Sequence, residues 1–224
     1  MLLDIVVNHL PVLLKGFRLT VEYSVLGIVL AMIFGVIAAL MRLAPLRIVR
    51  VLPTIYVELF RGTPLLVQLF IIIFGIPQVL PVNQWFGQMT YPILGAAIGL
   101  ALNEGAYVTE IVRAGILGVD RGQKEAAQSI GMSGGQTMRY IVLPQALKRM
   151  IPPFVNQFAQ TIKDTSLLSA VGVVEMLYSG QIVINNYFDP FTIYTLIALA
   201  YFVFIWLITR FAAYLERRLQ LDKR

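Results

Sequence analysis

The chain alternates between long apolar runs and shorter polar connections. Five runs approach the roughly 20 residues a helix needs to cross hydrocarbon: about 17–41, 53–80, 91–116, 151–174 and 191–213. The pattern predicts an all-α integral membrane protein with five transmembrane helices in one domain, residues 1–224. Before the first run, MLLDIVVNHLPVLLKGF mixes apolar residues with Asp4, Asn8, His9 and Lys15, predicting a short helix at the membrane interface. A signal peptide is not expected, because a basic start is lacking and Asn8, His9 and Pro11 interrupt the apolar stretch.

The second run contains a break. Leu65 to Leu80 is 16 residues, about 24 Å of helix at 1.5 Å per residue, which is too short for a hydrocarbon core of about 30 Å. The span therefore begins near Pro53, and Glu58 and Arg61 fall at membrane depth. Gly62 bends or ends the first piece, Thr63 is a good N-cap and Pro64 suits the first helical position. A half-helix starting inside the membrane aims its positive end and free N–H groups into a cavity, a site for a carboxylate. Alternatively, Arg61 snorkels to the cytoplasmic interface and Thr-Pro caps an ordinary helix.

Two further runs carry ionisable residues near mid-depth, Glu104 in the third and Lys163 in the fourth, and such residues mark functional positions in membranes. The fourth run also holds Asn156, Gln157, Gln160, Asp164, Thr165 and Ser166. Asn156, Gln160 and Lys163 share a helical face that lines either a translocation path or a dimer seam. Glu104 and Lys163 either pair with each other or read the ammonium and carboxylate of a zwitterion. Arg61, Thr63, Gln68, Asn103, Glu104, Tyr107, Lys163 and Asp164 form the candidate substrate path. Glu110 and Arg113 are expected to pair within their helix, and Gly95 and Gly99 form a GxxxG for close helix packing. Trp85, Phe86, Tyr91, Tyr187, Phe188 and Phe191 fit an outer interfacial belt.

Composition agrees with a membrane setting: 58% of residues are hydrophobic and 13% charged, against about a quarter charged in a soluble domain. The absence of cysteine and the single histidine exclude disulfides and cysteine or multi-histidine metal centres. The net charge of +6 gains meaning from its placement. Lys15 and Arg18 precede the first span. The connections after the first and third spans, together with the C-terminal end, hold all the other basic residues except Lys163, while the two remaining connections hold none. By the positive-inside rule the N-terminus is outside and the C-terminus cytoplasmic. Nucleic acid is not an expected partner.

The cytoplasmic connection 118–150 contains two short-helix signals. Asp120 precedes Gln123 by three residues, as Ser133 precedes Gln136. Gly131 between them suits a left-handed helix end, and Pro144 is expected to limit the second helix. Ala126, Ala127 and Ile130 are expected to leave a shallow apolar knob. Glu125, Ala126, Ala127, Gly131, Ile141, Leu143 and Pro144 match, at every spacing, the EAA loop of ABC importer permeases. RGTPLLVQL (61–69), AYVTEIVRAGI (106–116) and IKDTSLLSAVGV (162–173) resemble the polar amino acid uptake group of histidine/glutamine/arginine type. One departure is Glu104, where that pattern has a small residue such as Ser or Thr.

The resemblance implies a type I importer permease (MetI-like) fold and a membrane subunit that moves a polar amino acid by alternating access. It implies a second permease subunit, identical or paralogous, and two ATP-binding cassette ATPases that bind ATP and Mg and dock on the EAA loop. It further implies an extracellular or periplasmic solute-binding protein and the bacterial inner membrane. The chain has no GxxxxGK[ST] loop, so it is not itself an ATPase and needs no cofactor of its own. The alternative is an ion-coupled secondary amino acid transporter working through Glu104 or Asp164, against which stand the odd number of spans and the lack of an internal repeat.

Overall fold

A computed structural model describes residues 2–218, with side chains from 9 to 214. The described residues are almost entirely helical. Helix α1, Leu2–Leu43, runs unbroken for 42 residues. The separate interfacial helix expected at the N-terminus is thus part of the first long helix, and Pro11 does not interrupt it. Of the polar positions that prompted that expectation, His9 meets protein, its Nε2 3.0 Å from the Tyr187 hydroxyl, whereas Lys15 is exposed; Gly16 packs against Ser179.

Helix α2, Arg47–Gly62, ends at a break, and the chain resumes as α3, Leu65–Phe70, a π-turn at Ile71–Gly75 and α4, Ile76–Val79. The two pieces meet at 108°. A π-turn leaves a backbone carbonyl without its helical partner; here the Tyr91 hydroxyl donates to Ile72 O at 2.6 Å. Tyr91 is therefore buried rather than part of an aromatic belt, whereas Trp85, Phe86, Phe188 and Phe191 are exposed. Short α5, Val82–Phe86, leads to α6, Thr90–Leu117.

Helix α6 is the centre of the bundle, with Leu100, Ala101, Glu104 and Ala106 essentially inaccessible. Gly95 and Gly99 let α3 and the π-turn approach it. A Cβ on Gly99 would sit 2.9 Å from a methyl of Leu69, so a larger residue would require Leu69 to move. Ala31 of α1 and Val108 of α6 join Val142 and Met150 in one apolar cluster; Leu69, Ala96 and Leu168 anchor a second.

After α6 come α7, Arg121–Ser129, and α8, Gly134–Thr137. Pro144 does not end the second helix. A π-turn at Met138–Val142 widens the backbone, and α9, Leu143–Asp164, continues with Pro144 in its first turn, where the missing N–H costs little. A 3₁₀ segment, Thr165–Val171, leads through Gly172 to α10, Met176–Tyr187. Glu175 caps α10 by accepting from Tyr178 N at 2.7 Å. This helix lies where the sequence pattern predicts a plain connection. The last described helix, α11, is Pro190–Arg218.

By length and composition two helices can cross a membrane, His9–Leu43 and Pro190–Tyr214, or four segments if each bent pair is one span. Helix α6 has 28 residues, long enough to cross, but the polar Asn103 and Glu104 lie in its buried middle. A helix surrounded by protein need not be apolar on every side.

Candidate functional site

The break in the second predicted span opens onto a polar cavity of about 570 Å³. Its wall includes Arg61, Thr63 and Pro64 from the break, Asn103 and Tyr107 from α6, and Asp164 from α9. The break is held open by amides rather than by the expected cap. Thr63 is the C-cap of α2, and its hydroxyl donates back to Leu59 O at 2.8 Å; the N-cap of α3 is Pro64, which has no side-chain acceptor. Gln68 does the bracing. Its Nε2 lies 2.9 Å from Phe60 O, 3.0 Å from Thr63 O and 2.8 Å from the Thr63 hydroxyl. Its Oε1 accepts from Asn103 Nδ2 at 3.0 Å, and Asn103 also donates to Phe60 O. Carbonyls freed at the end of α2 are thereby satisfied inside the bundle.

Arg61 stacks over Tyr107, with 5.2 Å from the guanidinium carbon to the ring centroid, and so stands as a cation at the rim beside the start of α3. Across the cavity, Gln160 donates to Asp164 at 2.9 Å. Glu104 sits behind this wall, 1% exposed. Its Oε2 accepts from Gln157 at 2.6 Å and Thr161 at 2.8 Å, and the Asp164 carboxyl lies within hydrogen-bonding reach of the same group. Lys163 is exposed. Glu104 and Lys163 form no ion pair among the described residues, and neither lines the cavity. Asn156, Gln160 and Lys163 do share an exposed face. Gln157 and Thr161, the partners of Glu104, have no role in the sequence reading; their i, i+4 spacing on α9 was the available signal. Glu110 pairs with Arg113 as expected, at 2.8 Å, and also with Arg42 of α1.

The loop before α9 is a capped helical hairpin. Asp120 accepts from Gly122 N at 2.8 Å at the start of α7. Ser133 and Gln136 exchange the two bonds of a capping box at the start of α8. Between them Gly131 has φ +87°, Gly131 N donates to Gln128 O and Met132 N to Ala127 O, a Schellman ending. Ala127 is buried against the hairpin's own base, whereas Glu125, Ala126, Gly131, Leu143 and Pro144 are exposed and Ile141 is half-buried. Ile130 stands out at 80% exposure. Residues Gly131 to Gly135 also fit the letters G-x-S-x-G of a hydrolase nucleophile elbow. Ser133 is a helix cap here and His9 is bonded to Tyr187, so these two do not form a nucleophile–base pair. Among the described residues no cluster of acidic or histidine side chains could hold a metal.

A helical bundle with a span broken at a polar cavity, and a capped hairpin beside it, defines an integral membrane protein of the transport class. The family model for the binding-protein-dependent transport system inner membrane component matches residues 27–221, and the chain belongs to that family. It is 38% identical over 210 residues to the probable amino-acid ABC transporter permease protein PatM of Vibrio harveyi, covering 94% of this chain and 92% of the relative. It is 33% identical to the glutamine transport system permease protein GlnP of Escherichia coli K12, covering 95% and 94%. The arginine transport system permease protein ArtQ of Bacillus subtilis is also 33% identical, covering 96% and 95%. The fold superposes on the crystal structure of an amino acid ABC transporter with histidines at a TM-score of 0.85 and 32% identity, covering 95% and 96%. A methionine ABC transporter at 15% identity and a TM-score of 0.76 shares the fold. The protein is thus the membrane subunit of an ABC importer. It does not hydrolyse ATP; that belongs to other subunits of such a complex. The ion-coupled secondary transporter gives way to this assignment.

Proposed function

We propose that this chain, in the bacterial inner membrane, forms half of a pathway that carries a polar amino acid inward by alternating access, with the cavity at the broken helix as the binding point. In this reading it has five spans, with α6 the third and the α9–3₁₀ segment the fourth. The N-terminus is outside and the C-terminus cytoplasmic, supported by the distribution of Lys and Arg. The amino acid cargo is supported by the names of PatM, GlnP and ArtQ.

The observation that carries the proposal is the pairing of Arg61 and the start of α3 on one side of the cavity with Asp164 on the other. The free N–H groups at a helix start and a guanidinium favour a carboxylate; a carboxylate opposite favours an ammonium. That is the complement of an α-amino acid. Around this core we place a second permease subunit, an extracellular binding protein that delivers cargo, and two ATPases that bind ATP and Mg. The hairpin with Glu125, Ala126, Ala127, Gly131, Ile141, Leu143 and Pro144 is the ATPase contact, its exposed Ile130 beside an exposed acid suiting a partner groove.

The test is Arg61→Ala in the assembled transporter. Amino acid uptake should fall at least about tenfold, a loss of about 1.4 kcal/mol, while ATP hydrolysis persists. Uptake kinetics equal to wild type would remove the cavity from the pathway.

A further inference from the structure

A second cavity, of about 650 Å³, shares no wall residue with the polar one. It is a groove between α1 and α11, with Leu14 and Phe17 on one side, Leu199, Val203 and Leu207 on the other, and Met176 of α10 beside them. Every wall residue is apolar. The two helices that flank it are the two long and apolar enough to cross a membrane on their own. Leu14, Leu199, Val203 and Leu207 are each about half exposed, so the groove opens outward from the bundle toward lipid. Beside it, Phe17 and Phe204 meet edge to face at 5.1 Å between centroids. Glu175 accepts from Thr20 of α1 at 3.4 Å and from Tyr201 of α11 at 3.0 Å.

The dimensions of the groove select what can fill it. On α11 it extends from Leu196 to Leu207, about 16 Å at 1.5 Å per residue. That is about half of a hydrocarbon core of about 30 Å, which is the depth of one leaflet and the reach of one acyl chain. Spread over that length, the volume leaves a channel about 7 Å across, narrower than a helix of about 10–12 Å. A cation marks one end. Arg210 is three residues past Leu207 and seven past Val203, so it lies on the same face of α11, about one turn beyond the groove. It is exposed, and its guanidinium carbon lies 5.6 Å from the Trp206 ring centroid. Among the described residues no carboxylate pairs with it. A guanidinium binds a phosphate through two parallel hydrogen bonds, stacking on Trp orients it, and Trp favours the level of the lipid headgroups. We infer that the groove holds one acyl chain of an anionic phospholipid with its phosphate on Arg210, and that this lipid joins α1 to α11. A zwitterionic headgroup offers Arg210 no net charge, so the anionic lipid is preferred.

The experiment is native mass spectrometry of the permease–ATPase complex released from nanodiscs of phosphatidylcholine with phosphatidylglycerol as the minor component. Wild type should retain phosphatidylglycerol at least about fivefold above its share of the membrane. Arg210→Gln should abolish that excess, and Arg210→Lys should keep part of it. Val203→Trp fills the groove from its open side and should displace retained lipid of either kind; if it fails to assemble, Leu199→Trp serves in its place. Added phosphatidylglycerol should raise the unfolding temperature of wild type more than that of Arg210→Gln. No excess of phosphatidylglycerol on wild type, or an excess unchanged in both Arg210→Gln and the groove-filling variant, overturns the inference. The chain has no cysteine, so Val203→Cys gives it a single thiol. A disulfide between two such permease subunits in the assembled complex would put a second copy over the groove and also overturn the inference.

Discussion

The break at Thr63–Pro64 and the turn at residues 130–133 both interrupt a helix within a few residues, yet they are held by different means. In the turn, every stabilising bond stays local: Gly131 N to Gln128 O, Met132 N to Ala127 O, and the reciprocal Ser133–Gln136 pair. In the break, the bracing crosses the bundle. Asn103 reaches Phe60 O across 43 positions and Gln68 across 35. The turn is a module whose shape its own residues fix, so it can meet a partner as a rigid unit. The break is braced locally by Gln68 on Phe60 and Thr63 and tied to α6 by Asn103, so a shift of α6 against α2 changes the cavity. A rigid contact surface and a cavity tied to helix positions are the two parts an importer must connect.

The comparison can be broken at several points. The largest effect is expected from Glu125→Lys, which leaves the fold of the hairpin alone but reverses an exposed charge on the proposed contact face. Like charges facing each other across an interface are strongly disfavoured. The ATPase should be lost on purification, or retained while ATP-driven uptake stops. Normal assembly together with normal uptake would deny the hairpin its coupling role.

Next is Gln68→Met, close in length and shape but without the amide. It removes the bridge between Phe60, Thr63 and Asn103 and leaves buried polar groups unpaired, at about 1–3 kcal/mol for such a group. Thermal unfolding in detergent should show a clear loss of stability, and uptake should fall with it because the cavity is no longer held. Unchanged stability would mean that the Gln68 amide does not hold the break.

The smallest global effect is expected from Gly131→Val. A β-branched residue resists the positive φ that Gly131 adopts, at about 1–3 kcal/mol of strain. Because the turn is local, that cost should appear as faster hydrogen exchange confined to residues near 120–137, with the unfolding temperature of the whole protein little changed. A large drop in global stability would show that the hairpin is not the separate module its hydrogen bonds describe.

The hairpin was legible in the sequence because its causes are short-range. Asp120, Gly131, Ser133 and Gln136 act on neighbours two to five residues away, and the structure keeps all four roles. The break was legible only as an interruption. Its position followed from the length of the apolar run and from Gly-Thr-Pro, but its support came from Gln68 and Asn103 rather than from Thr63. The sequence pattern had no means to show the Asn103 half of that support, since Asn103 lies on a helix distant in the chain. Pro144 misled for a related reason. A proline stops an ideal α-helix, but a π-turn just before it lets the helix run on.

By itself, the sequence determined that the chain is helical and apolar enough for a membrane, where its polar interruptions fall, and that residues 120–136 cap themselves. Those properties depend on composition and on hydrogen bonds between near neighbours. Only the tertiary structure decided that α1 runs on from the N-terminus to pack on α10, that Glu104 is bound by Gln157 and Thr161 instead of Lys163, and that Arg61 and Asp164 face one cavity. Each is a choice among several partners of similar chemistry, and it is made by which helix faces meet. That depends on the packing of α6 against every helix around it, a long-range property that no local window of sequence contains.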